Sequence, residues 1–121
     1  CLITMMLPVR AGSLENNMSD VVLAKWYINK FNSARDRGIE FSMGIVTLRN
    51  ISLAKKCYFT GLPLCDRTRT IDRVDNQRGY INGNVVACHT SFNGMKSLIE
   101  NPDNSLSMKT CIKGLKKWSE Y

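Results

Sequence analysis

The run from Thr70 to Lys96, TIDRVDNQRGYINGNVVACHTSFNGMK, constrains the fold more than any other part of the chain. Thr70 to Val74 and Val85 to Cys88 are rich in Thr, Ile and Val, the residues that favour extended backbone, and they predict two strands. Between them lies a long polar loop with Gly79 and Gly83, residues that let a chain turn. A helix follows over about Ser91 to Ile99, and Pro102 closes the region. The implied unit is a hairpin packed on one helix.

The flanks read as helices. Ser19 is a natural N-cap, and Leu23, Tyr27, Phe31 and Ala34 follow at spacings of four, four and three, which marks one buried helix face ended by Gly38. Ile39 to Phe41 predicts a short extended segment. A second helix covers Leu48, Ile51 and Ala54, and Cys57-Tyr58-Phe59-Thr60-Gly61 reads as a strand running into a turn. Ser107 caps a last helix, whose Met108, Cys111, Ile112, Leu115 and Trp118 recur at spacings of three and four. Trp26, Tyr80, Phe92 and Trp118 are expected in the core. The apolar stretch Cys1 to Val9 is too short to span a membrane; a strand, or the remnant of a processed leader, is expected there.

Four features stand in order along the central unit: Asp72-Arg73 on the first strand, the Gly79-Tyr80 turn, Asn84, and the helical pair Asn93-x-x-Lys96. Together they resemble the HNH, or ββα-metal, nuclease motif. Arg37-Gly38-Ile39-Glu40-Phe41 is similar to the lead-in of phage-type members, and Cys57 to Gly61 is similar to their knuckle without its second Cys. The resemblance covers Cys57 to Lys96. It implies a single small α+β domain over residues 1–121, with a ββα-metal core at 57–96 flanked by N- and C-terminal helices.

The resemblance also implies roles. Asp72 and Asn93 would hold a divalent metal, and such hard oxygen donors suit Mg or Mn. Asn84 would tie the loop to the strands through side-chain to backbone hydrogen bonds. Lys96, together with Arg73, would add positive charge near the scissile phosphate. Arg73 stands where the family usually has its general-base His, and a guanidinium cannot accept a proton at neutral pH. That leaves Asp75, three residues after Asp72, and His89, the sole histidine, as candidate bases.

Many members frame the motif with two Cys-x-x-Cys pairs that bind a structural zinc. The matching positions here are Cys57 and Thr60, then His89 and Phe92, so two of four ligands are missing and no structural zinc is expected. A rearranged set drawn from Cys57, Cys65, Cys88 and His89 lacks the paired short spacings of such sites. The five cysteines form no regular disulfide framework, and mostly reduced thiols in a cytoplasmic setting, the host cell's if phage-encoded, are the expectation.

Composition enters the argument through charge. In 121 residues, 17 Lys and Arg against 10 Asp and Glu give a net charge of +7, which points to an anionic partner. Charge alone fits a merely soluble basic domain equally well; it is the resemblance that makes DNA the expected partner, with Arg67, Arg69, Arg73, Arg78 and Lys96 around the hairpin as its contacts, and no membrane is expected. Three functions fit: a metal-dependent DNA endonuclease, a nucleic-acid-binding module that has lost cutting, and a protein-binding inhibitor or adaptor on the same scaffold. Target sequence and oligomeric state are not encoded legibly.

Overall fold

The computed structural model describes residues 19–121. The segment Cys1 to Val9, read above as a strand or leader remnant, lies outside them. The described residues form a small α+β domain with four helices and a two-stranded antiparallel sheet.

Helix α1 spans Asp20–Asp36. The Ser19 hydroxyl oxygen accepts from the Val22 backbone N–H at 3.2 Å, satisfying one of the amides that a helix start leaves open. The other end closes as a Schellman turn: Gly38 N–H donates to Arg35 O at 3.0 Å and Ile39 N–H to Ala34 O at 2.8 Å. Gly38 takes φ +67° there, a conformation that costs glycine little. Of the expected apolar face, Leu23 and Ala34 are fully buried, Tyr27 is half-buried, and Phe31 remains 43% exposed.

Helix α2 (Ile45–Ser52) buries Leu48 and Ile51 as its spacing predicts, but ends before Ala54. Strands β1 (Arg69–Arg73) and β2 (Val85–His89) pair with Ile71 opposite Ala87 and Asp72 opposite Val86. Helix α3 (Thr90–Glu100) follows β2 without a break and packs on both strands. The core joins Leu23, Met43, Leu48, Ile51, Ile71, Tyr80, Ala87 and Cys88, so the hairpin and the first two helices share one apolar centre. Burying one such aliphatic side chain stabilises the fold by about 1.5–3 kcal/mol.

The loop between the strands is pinned at both ends. Tyr80 N–H donates to Glu40 O at 2.8 Å, while Ser42 and Met43 N–H both reach Tyr80 O at 3.0 Å. The predicted extended segment at Ile39 to Phe41 is thereby reduced to a parallel bridge between Phe41 and Tyr80. Gly79 sits so close to Glu40 that a Cβ would run into the Glu40 carbonyl. Here the glycine is needed for close approach of two backbones.

Two expectations are corrected. Cys57 to Gly61 is a tight loop and not a strand, because its hydrogen bonds close on themselves: Gly61 N–H donates to Cys57 O at 2.9 Å and Cys57 N–H to Leu62 O at 2.8 Å. Tyr58 N–H then fastens the loop to β2 at Ala87 O. Helix α4 (Met108–Ser119) forms with Ser107 as its cap, but none of its residues is buried, and Trp118 is 75% exposed. Its apolar stripe borders a groove of about 330 Å³ against Phe92, Met95 and Ile99 of α3. Trp26 and Phe92 pack at the core margin, and Tyr80 is buried.

Candidate active site

A polar cleft of about 470 Å³ opens where α1, β1 and α3 meet. Strand β1 supplies Asp72 and Arg73, and α3 supplies Asn93, Ser97 and Glu100 at spacings of four and three, hence on one helix face. Across from them stand Lys30, Ser33 and Arg37 of the α1 face and its cap, again at spacings of three and four. Tyr80 closes the wall. Asp72 and Asn93, paired in the sequence reading, thus line the same cleft.

Lys96 crosses from α3 to the strand. Its Nζ lies 2.6 Å from Asp72 Oδ2, donates to Arg73 O at 2.9 Å, and is 4.0 Å from Glu100 Oε1. The ammonium also sits 5.0 Å from the centre of the Phe59 ring, a favourable place for a cation. The Asp72 and Lys96 side chains are 12% and 14% exposed. Removing one partner of so enclosed a pair strands the other, at about 3–5 kcal/mol.

Arg73 is committed to the loop. Its Nη1 donates to Asn76 O at 3.1 Å and Arg78 O at 2.9 Å, and its guanidinium lies 5.3 Å from the Tyr80 ring centre. Arg37 reaches the same ring from α1 and donates to the Tyr80 hydroxyl at 2.9 Å. Asn84 is buried and makes three hydrogen bonds: its Oδ1 accepts from Asp75 N–H at 2.9 Å, and its Nδ2 donates to Asp75 O at 3.0 Å and Gly79 O at 2.9 Å. It holds the 75–79 loop against the start of β2.

The two candidate bases lie away from this cleft. Asp75 forms a turn in which its Oδ1 accepts from Gln77 N–H at 2.9 Å, and it is exposed beyond the end of β1. His89 pairs with Arg69, an odd number of positions from the Asp72 pair, so the two side chains project from opposite faces of the hairpin. His89 Nδ1 accepts from Ser91 N–H at 3.1 Å and caps α3. Arg69 is also withdrawn from the surface. Its side chain is 10% exposed, with Nε donating to Ala54 O at 2.9 Å and Nη1 paired to Asp66 at 2.9 Å. Arg67 and Arg78 are exposed.

Cys57 and Cys88 are neighbouring thiols, and Cys88 shares the hairpin face of Asp72. Burial alone would raise the Cys57 thiol, but hydrogen bonds from the Thr60 side chain and from the His89, Thr60 and Phe59 backbone outweigh it and bring the group down to about 7. Burial, then the neighbouring Cys57 and Asp72 charges, push Cys88 up to about 12. Phe92 packs its ring 5.2 Å from Phe59. Among the described residues, no three His, Cys, Asp or Glu side chains cluster as a metal site.

The sequence reading missed Lys30, Ser33, Arg37, Ser97 and Glu100. Their signal was a polar stripe at helical spacing on each of two helices, visible only once the two stripes are known to face each other.

The chain is similar to a phage protein. It is 33% identical over 69 residues to the "Uncharacterized 29.0 kDa protein in dda-modA intergenic region" of Enterobacteria phage T4. The match covers 54% of this chain and 28% of the phage protein, so the chain spans a little over a quarter of that relative's length. No family model matches the chain, and no solved structure does. No helix among the described residues is long and apolar enough to cross a membrane.

Proposed function

We propose that the chain is a metal-dependent DNA endonuclease of the HNH type, with β1, β2 and α3 as its ββα-metal unit. The observation that carries this reading is the cleft itself, which gathers Asp72 from the strand and Asn93 from the helix beside cationic walls. A carboxylate and an amide carbonyl are the oxygen donors that Mg or Mn prefers, with water and phosphate oxygens filling the remaining positions. When bound, such a cation polarises the phosphate and stabilises the departing oxygen.

The remaining work falls to the chain's own residues. Arg37, Lys30 and Arg73 line the cleft with positive charge that attracts and positions a phosphodiester. Arg73 and Arg37 are both held over Tyr80, which limits their motion and fixes where that charge stands. Asn84 keeps the intervening loop in place, so it acts on geometry and not on the phosphate. The similarity to a phage protein supports a phage-type setting for such an activity.

Nicking of supercoiled plasmid in Mg or Mn, with EDTA as control, tests the reading. Asp72→Asn is the variant of choice, because it removes the negative charge while an amide oxygen of the same shape still accepts from Lys96, and thermal melting checks that the fold survives. The expected result is metal-dependent nicking by wild type and a loss of about 10²-fold or more in the variant, with DNA binding retained. Wild type that cuts no DNA with any divalent metal rejects the reading.

One observation favours a second reading, a nucleic-acid-binding module without cutting. Lys96 Nζ already neutralises Asp72 at 2.6 Å. A domain that uses lysine as its permanent cation would bind DNA and leave it intact.

A further inference from the structure

Water attack on a phosphodiester requires a group that takes the water's proton as the new bond forms. Every residue weighed for that task from the sequence is disqualified by its place. Arg73 is a permanent cation tied to two carbonyls. Asp75 is outside the cleft in a turn, and His89 is on the opposite face of the hairpin with Nδ1 engaged as a cap. Among the described residues, two carboxylates line the cleft: Asp72 and Glu100.

These two are not equivalent. Asp72 is 12% exposed and in contact with Lys96, and it is the carboxylate best placed to hold a cation. Glu100 is 28% exposed, opens to the cleft, and stands 4.0 Å from the same ammonium, too far for a hydrogen bond. Its position on α3 is informative. Glu100 is the last residue of the helix, where the partial negative charge of the helix end disfavours a carboxylate. It nevertheless shares the face of Asn93 and Ser97 and looks across at Lys30 and Arg37.

We propose that Glu100 is the proton acceptor for the attacking water, an assignment that rests on the endonuclease reading above. The water oxygen forms a bond to phosphorus as its proton passes to the Glu100 carboxylate. The phosphorus bond to the departing sugar oxygen breaks, that oxygen takes a proton from solvent, and Glu100 returns its own proton to solvent. Electron pairs and protons balance without a further reactant. The charged groups facing Glu100 are Lys96 on its own helix, Lys30 and Arg37 from α1, and Asp72 and Arg73 from β1.

Two variants with opposite response to an added carboxylate test the assignment. Glu100→Ala leaves space beside the water, and Glu100→Gln fills that space with an amide that cannot accept the proton. Plasmid nicking in Mg or Mn is measured for both, with and without formate, alongside DNA affinity and thermal melting. Both variants are expected to lose about 10²- to 10⁴-fold in kcat with affinity and melting close to wild type, and formate is expected to restore activity to Glu100→Ala alone. A Glu100→Gln variant that cuts within about threefold of wild type overturns the role of Glu100 and leaves the endonuclease reading standing. So does a loss in Glu100→Ala that formate cannot reverse. A wild type that never cuts overturns the endonuclease reading and this assignment with it.

Discussion

Asn84 and Asp72 show how far single residues could be read. An Asn between two glycine-rich turns and a strand reads as a loop brace, and the buried side chain makes three hydrogen bonds to the loop. Asp72 was singled out by its order in the motif and does line the cleft, but its pairing with Lys96 at 2.6 Å was not legible, because the two are 24 positions apart. Arg69 and His89 were illegible for a different reason: the same side chains can serve a phosphate or the fold, and only the packed structure shows Arg69 held by Ala54 O and Asp66 and His89 by the Ser91 N–H. Cys57 carries a pH prediction. Its thiol falls from 9.0 to about 7 in the fold, so it contributes stability that is fully present above pH 9 and lost as pH falls through 7. Cys88, raised to about 12, acts in the opposite sense, and its contribution fades as pH rises from 9 to 12. Chemical denaturation should therefore show stability rising between pH 7 and 9, on the order of 2 kcal/mol, and Cys57→Ala should flatten that rise.

Elements were more legible than sites. Ser19, Gly38 and Ser107 mark helix ends chemically, and each stands at the end it predicted. The strands fell within a residue of expectation because β-branched runs bounded by turns have few alternatives. Cys57 to Gly61 kept its turn and lost its strand, because a short aromatic run suits a strand or a knuckle alike and the pairing beside it shrinks to a single bridge between Lys56 and Pro63. Helix α4 formed where its spacing predicts, but Trp118 is not in the core, since periodicity reveals an apolar stripe and not whether anything covers it. Trp118 makes this testable. At 75% exposure, Trp118→Ser should change the midpoint of urea unfolding by no more than about 0.5 kcal/mol in stability, whereas Leu48→Ala in the core should cost about 2–5 kcal/mol.

The whole molecule carries +7, and its shape decides which of those charges can meet a polyanion. Arg69 is walled in and Lys96 is neutralised, while Arg67 and Arg78 are exposed and Lys30 and Arg37 border the cleft. With about four phosphates neutralised on duplex DNA, log affinity should fall against log salt with a slope of about −3.6. Replacing Arg67 and Arg78 together by Ala should lessen that slope by about 2, and Arg69→Ala should leave it unchanged while lowering stability. A titration by fluorescence anisotropy at several salt concentrations checks both. Net charge was readable from composition; its distribution depends on which guanidinium groups the fold consumes internally.

The Lys96 ammonium also sets a threshold. On the endonuclease reading proposed above, a divalent ion reaching Asp72 must first displace a cation that the chain itself carries. Asp72 is then never left as an unpaired carboxylate when no free metal is at hand, and weakly supplied metal leaves the lysine in place. Occupancy on that reading follows the metal level of the surroundings as a competition with an internal rival. The domain would carry its own antagonist, and a scarcity of metal would hold it in a silent, intact state.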